Sequence, residues 1–187
     1  MIEIPSDLHP QLVPLAFLLG RWTGAGVHDF PGAEQCNFGQ EVVFSHDGRP
    51  FLAYTSYTWV LDAEGNKVRP LENETGFWRI DAERKVDITL TRDEGVAEIW
   101  TGELAPDKPQ IDLVTDAVAR LAGAPDYSGG KRLYGYVNGD LMWVGEKSTP
   151  SVELRPYMSA HLKKVPDPRE WIGDLKDLPD DGIAFFK

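Results

Sequence analysis

From Phe38 onward the chain alternates apolar and polar positions with a period of two rather than 3.6, the signature of strands that bury one face. Phe38–Phe44, Phe51–Val60, Gly76–Ile80, Val86–Arg92, Val96–Leu104, Ile111–Thr115, Arg132–Val137 and Leu141–Glu146 are all rich in β-branched and aromatic residues and are predicted as strands. Turn chemistry separates them: Asp47-Gly48 before Pro50, Glu64-Gly65-Asn66, Glu94-Gly95, Pro106-Asp107-Lys108-Pro109, and Asn138-Gly139, a strong two-residue hairpin signal. With a glycine-rich strand around Trp22 and a closing run from Leu154 to Val165, the pattern predicts about ten antiparallel strands. Two segments break the meander. Leu12–Leu19 is apolar and compact, and is predicted as a short helix over one barrel end; Ala117–Gly130 mixes helix formers with Gly, Pro and Ser and is predicted as a long loop.

An open sheet of this size would leave unpaired edges, so the expected fold is all-β, an up-and-down antiparallel barrel with a short N-terminal helix. Gly20, Gly24 and Gly26 around Trp22 suit the mouth of such a barrel, because glycine allows sharp bends and close backbone approach while the indole plugs the interior. The barrel domain is assigned to residues 1–165 and a C-terminal extension to 166–187, whose Trp171, Ile172, Phe185 and Phe186 would pack on the barrel exterior, stay partly mobile, or meet a partner or a second copy in a homodimer.

At 187 residues the chain suffices for one domain with a substantial core. Thirty Asp and Glu against nineteen Lys and Arg give a formal charge of −11, which argues against nucleic acid and anionic membranes as partners. No apolar run is long enough to span a bilayer, and Met1–Pro10 lacks the features of a secretory signal, so a cytoplasmic protein is expected. A single cysteine, Cys36, excludes an internal disulfide. His9, His28, His46 and His161 show no metal-ligand spacing, and no phosphate loop, dinucleotide fingerprint or Ser-His-Asp order appears, so no catalytic residue is assigned.

Four stretches, taken in order, carry a family resemblance: Gly20-Arg21-Trp22-Thr23-Gly24-Ala25-Gly26, the run from Phe44 to Thr55, Glu74-Thr75-Gly76-Phe77-Trp78-Arg79, and Gly139-Asp140-Leu141-Met142. Together they span most of Leu15–Val165 and resemble the nitrobindins. The resemblance implies a ten-stranded barrel, related in shape to fatty-acid-binding proteins, that holds ferric haem b at one open end through a histidine on its last strand. It also implies nitric oxide binding and isomerisation of peroxynitrite to nitrate. This chain departs from the pattern twice. Where the family carries Pro-His-Leu it reads Pro156-Tyr157-Met158, and where the family commonly carries Tyr-Pro-Thr it reads Phe30-Pro31-Gly32.

Tyr157 therefore stands at the family's iron-ligand position. On an unbroken strand Arg155, Tyr157, Ser159 and His161 would share one face, with His161 about 13 Å along the strand from Tyr157 by the usual rise, too far to replace it without shifting the haem or the register. Arg155 would favour an ionised phenol, and tyrosinate is a known ferric-haem ligand; alternatively Tyr157 fills the cavity or bonds a polar neighbour. Alternation from Trp22 places His28 inward, at a pocket rim, unless a glycine bulge turns it to the surface. Three readings follow: a barrel without histidine-ligated haem that binds another small apolar or planar molecule or nothing, a haem enzyme using Tyr157 or a rearranged His161, and an interaction module acting through its tail.

Overall fold

The computed structural model describes residues 4–166, so the extension beyond Pro166, with Trp171, Ile172, Phe185 and Phe186, lies outside the described residues. A 3-10 helix, Pro10–Leu18, leads into ten strands: β1 (Gly20–His28), β2 (Cys36–Ser45), β3 (Leu52–Leu61), β4 (Lys67–Ile80), β5 (Lys85–Arg92), β6 (Val96–Leu104), β7 (Gln110–Arg120), β8 (Gly129–Val137), β9 (Asp140–Thr149) and β10 (Val152–Val165). Each pairs antiparallel with its neighbours in sequence, and β1 pairs with β10, closing the barrel. Closure follows from the alternation. In β5 Val86, Ile88, Leu90 and Arg92 are buried while Lys85, Asp87, Thr89 and Thr91 are exposed, so every second side chain enters a shared interior.

The helix caps one end of the barrel, where the Gln11 side-chain amide donates to the Ile80 carbonyl. Leu12, Leu15, Phe17 and Leu18 pack there into a core with Trp22, Phe44, Leu52, Ile80, Val86, Leu104, Ile111, Leu141 and Leu162. Pro14 removes a donor that an α-helical turn requires. The segment winds instead through i to i+3 bonds, such as Leu12 N–H to the His9 carbonyl at 2.8 Å and Leu19 N–H to the Ala16 carbonyl at 3.2 Å.

Two expectations are corrected. The loop expected over Ala117–Gly130 is mostly strand: β7 continues to Arg120, pairing Ala117, Val118 and Ala119 with Ile99, Glu98 and Ala97 of β6, and β8 begins at Gly129. The alanines favour helix in isolation, but the exposed edge of β6 supplies hydrogen-bond partners that override that propensity. Likewise β4 starts at Lys67, nine residues before the expected Gly76, because the Glu64-Gly65-Asn66 turn folds it straight back along β3.

Candidate functional site

The Gly20–Gly26 motif runs from the helix-capped end toward the opposite one. Trp22 is wholly buried, and its indole N–H donates to the Leu18 carbonyl at 2.7 Å, tying β1 to the capping helix. A Cβ on Gly24 would meet the His161 carbonyl and lie 2.9 Å from Leu162 Cα, and one on Gly26 would meet the Ser159 carbonyl and the Phe38 ring. These glycines thus let β1 and β10 approach where the barrel closes. Gly20 lies at the capped end with a positive φ of 112°.

His28 ends β1 with its side chain inside the barrel, 6.2 Å ring to ring from Tyr157 and edge-on to it. The two meet because of a break in β10. Pro156 pairs with Glu146 and Met158 with Gly145, so Tyr157 is the extra residue of a bulge, and both Tyr157 and Met158 are buried. The proline next to it has no N–H for the ladder, and the Tyr157 carbonyl turns to accept from Asp29 N–H at 2.9 Å.

The shared face expected for Arg155, Tyr157, Ser159 and His161 is therefore corrected. Beyond the bulge Ala160 and Leu162 point inward, whereas His161 lies on the outer surface at 2.5 Å from the Asp140 carboxylate. Arg155 is exposed. It cannot steady a Tyr157 phenolate from within the barrel.

Tyr157 stands at the end opposite the helix. Its ring lies against Gly145, where a Cβ would come within 2.9 Å, and edge-on to Phe30 at 6.5 Å. The Lys147 ammonium sits 4.4 Å from the Phe30 centroid and 4.7 Å from that of Tyr157, a cation over two rings. The Tyr157 hydroxyl is buried with no hydrogen-bond partner among the described residues, and burial pushes the phenol well above its usual range, with the Glu72 carboxylate adding to the effect.

Behind this end lies a buried ionic quartet. Glu74 receives both terminal nitrogens of Arg132, one of them at 2.8 Å, and the Tyr54 hydroxyl at 3.1 Å. Arg92 Nε stands 3.5 Å from Glu74 and 2.9 Å from Glu98. Burial works against the Glu74 charge, but the two guanidinium groups and the Tyr54 bond outweigh it and hold the carboxyl at about 2. Aromatic rings flank the charges: Arg92 lies over Tyr127 at 4.6 Å, and Arg132 over Trp100 at 4.9 Å. Gln40 joins the far wall, accepting from Trp143 Nε1 at 2.8 Å and donating to Ser56 Oγ at 2.9 Å.

Sequence reasoning missed this quartet, although the signal was present. Glu74, Arg92, Glu98 and Arg132 each occupy the inward phase of a strand that also turns large apolar or aromatic residues inward, such as Trp78, Leu90, Trp100 and Tyr134, with Glu72 a further inward acid on β4. Charges in phase with a core face must be paired, and here they pair across four strands.

A closed ten-stranded antiparallel barrel with a helix over one end and a polar, aromatic-walled interior toward the other places the chain among the all-β up-and-down barrels. Residues 11–164 match the family model for the THAP4-like, heme-binding beta-barrel domain, and the chain belongs to that family. It is similar to a "Ferric nitrobindin-like protein" of Streptomyces avermitilis, 75% identical with both chains covered in full. A "Peroxynitrite isomerase" of Nocardioides sp. is 46% identical over 86% of this chain and 96% of its own. Among solved structures, that of Rv2717c from M. tuberculosis superposes with a TM-score of 0.77 at 29% identity, covering 86% of this chain and all of the other. Among the described residues no helix is long and apolar enough to cross a membrane.

Proposed function

We propose that this chain is a nitrobindin-fold barrel that does not hold haem through a histidine and that receives a small planar or apolar molecule at the Tyr157 end of its interior. One observation supports this reading: Tyr157, which the family resemblance aligns with the ligand histidine, is a buried phenol wedged between Gly145 and Phe30 with His28 at its edge. Ferric iron takes tyrosine as the phenolate. Burial, with the Glu72 carboxylate, outweighs the Arg92 and Arg132 guanidinium groups and favours the neutral form of Tyr157, and Arg155 lies outside. The residues present therefore do not fit histidine-ligated haem. His28 is turned edge-on to Tyr157, and His161 is engaged on the outer surface with Asp140. Flat rings suit a planar guest, with Tyr134 and Trp143 stacked at 6.0 Å on the inner wall.

The test is the absorption spectrum of protein purified from cells supplied with a haem precursor. The expected result is no stoichiometric Soret band for the wild type, and a measurable gain in ferric-haem affinity for Tyr157→His. A sharp stoichiometric band in the wild type overturns the proposal. The similarity to a chain named peroxynitrite isomerase favours the second reading, a ferric-haem protein that isomerises peroxynitrite, and that band together with peroxynitrite consumption would establish it.

A further inference from the structure

Between the ionic quartet and the helix-capped core lies a small interior void, with room of about 10 Å³ for the centre of a water-sized particle, walled by Trp78, Ile88, Leu90, Trp100, Leu113 and Arg132. Three of those six side chains carry a buried N–H without a partner among the described residues: Trp78 Nε1, Trp100 Nε1 and Arg132 Nε. The other three are aliphatic. Glu74 takes the two terminal nitrogens of Arg132, so Nε is the guanidinium donor left over, and the Arg132 guanidinium lies 4.9 Å from the Trp100 ring centroid. The wall thus offers side-chain donors and no side-chain acceptor.

We propose that this void is a binding site for a single halide ion, chloride under ordinary conditions, held by the two indole N–H groups and the Arg132 Nε–H. The donor count selects the ligand. Three buried donors left without an acceptor would each carry a desolvation cost, so the site requires an acceptor of about one atom's size. Water accepts comfortably from two donors and brings two protons of its own, which here would face Ile88, Leu90 and Leu113. A halide accepts from all three and donates nothing. Of the four quartet charges Arg132 alone lines the void, so the ion would meet the quartet at a cationic group while both carboxylates stay out of the wall. An oxyanion such as sulfate or phosphate is too large for the space.

The site is independent of whatever occupies the Tyr157 end, so its test does not depend on haem. Full-length protein is exchanged into sodium methanesulfonate and titrated with sodium chloride or sodium bromide at constant ionic strength, following the unfolding midpoint and tryptophan fluorescence. The expected result is a saturable rise in midpoint with either halide, saturable quenching by bromide, and at least a tenfold weaker response for Trp100→Phe, which deletes one donor while keeping most of the ring. Crystals grown in bromide should show one anomalous peak within reach of Trp78, Trp100 and Arg132. Strictly linear bromide quenching with no midpoint shift overturns the proposal. So does a bromide crystal of wild type with water, or no anomalous peak, at that place. If Trp100→Phe fails to fold, the wild-type titration and the bromide crystal decide the matter.

Discussion

At the scale of single residues, the interior of this barrel is divided between side chains that fill space and side chains that carry charge. Trp22 belongs to the first kind: it is wholly buried, and it is also a fastener, since its N–H reaches the Leu18 carbonyl at 2.7 Å. Trp22→Ala is expected to destabilise the protein by roughly 3–5 kcal/mol, the range for emptying a large aromatic site, through a void at the capped end and a carbonyl left without its donor. Chemical denaturation of the ligand-free protein measures it; a midpoint equal to wild type would mean that the indole serves a ligand rather than the fold. Tyr157 shows how far one residue could be read in advance. Its identity at the departure from Pro-His-Leu was visible in the chain, but its neighbours were not. Those neighbours, Phe30, Lys147 and Gly145, come from the β1–β2 connection and from β9, and only closure of the barrel brings them together.

At the scale of elements, the period of two made the strands legible wherever a strand is buried on one side, as in β5 and β6. What alternation could not show was the single residue inserted in β10. A bulge changes the phase of everything beyond it, and this one moves His161 from the expected inner face to the outer. Its causes lie partly outside the strand, in a proline that withdraws a donor and in Asp29, whose N–H takes the Tyr157 carbonyl. The far half of β7 shows the converse: its alanines carry no strand signal of their own, and the β6 edge that recruits them lies outside the local sequence. The β1–β10 seam offers an element-level prediction. Gly24→Val places a side chain where the His161 carbonyl stands, with Leu162 Cα 2.9 Å from the new Cβ, so the two strands must separate or slide. A loss of roughly 1–3 kcal/mol or more is expected, by analogy with overpacking a dense interior. Hydrogen exchange should report it as faster amide exchange in β1 and β10 than in β5 and β6; uniform protection across all four strands would show that the seam tolerates the added bulk.

At the scale of the whole molecule, the quartet couples the barrel's stability to pH, because its four charges sit on β4, β5, β6 and β8 and bind those strands across the interior. The acid dependence is carried here by Glu74. Its carboxyl is held at about 2 in the folded protein against an ordinary value of 4.5, so the folded state binds the proton less readily than the unfolded chain. The stabilisation this represents is complete above about pH 4.5 and is lost progressively as the pH falls toward 2, where the unfolded chain takes up a proton that the folded protein still refuses. Glu74→Gln keeps the shape and an acceptor oxygen but removes the charge, leaving Arg132 and Arg92 with Glu98 as their one remaining anion in the quartet. It is expected to cost about 3–5 kcal/mol at neutral pH, the range for breaking a buried pair from one side. The variant should also have a flatter stability profile than wild type between pH 4.5 and 2, since exposed carboxylates such as Asp47 and Asp62 titrate alike in both proteins and cancel in the comparison. Urea denaturation at a series of pH values supplies both numbers. Parallel profiles for the two proteins would show that the acid sensitivity arises elsewhere, and that the quartet holds its protons no differently folded than unfolded.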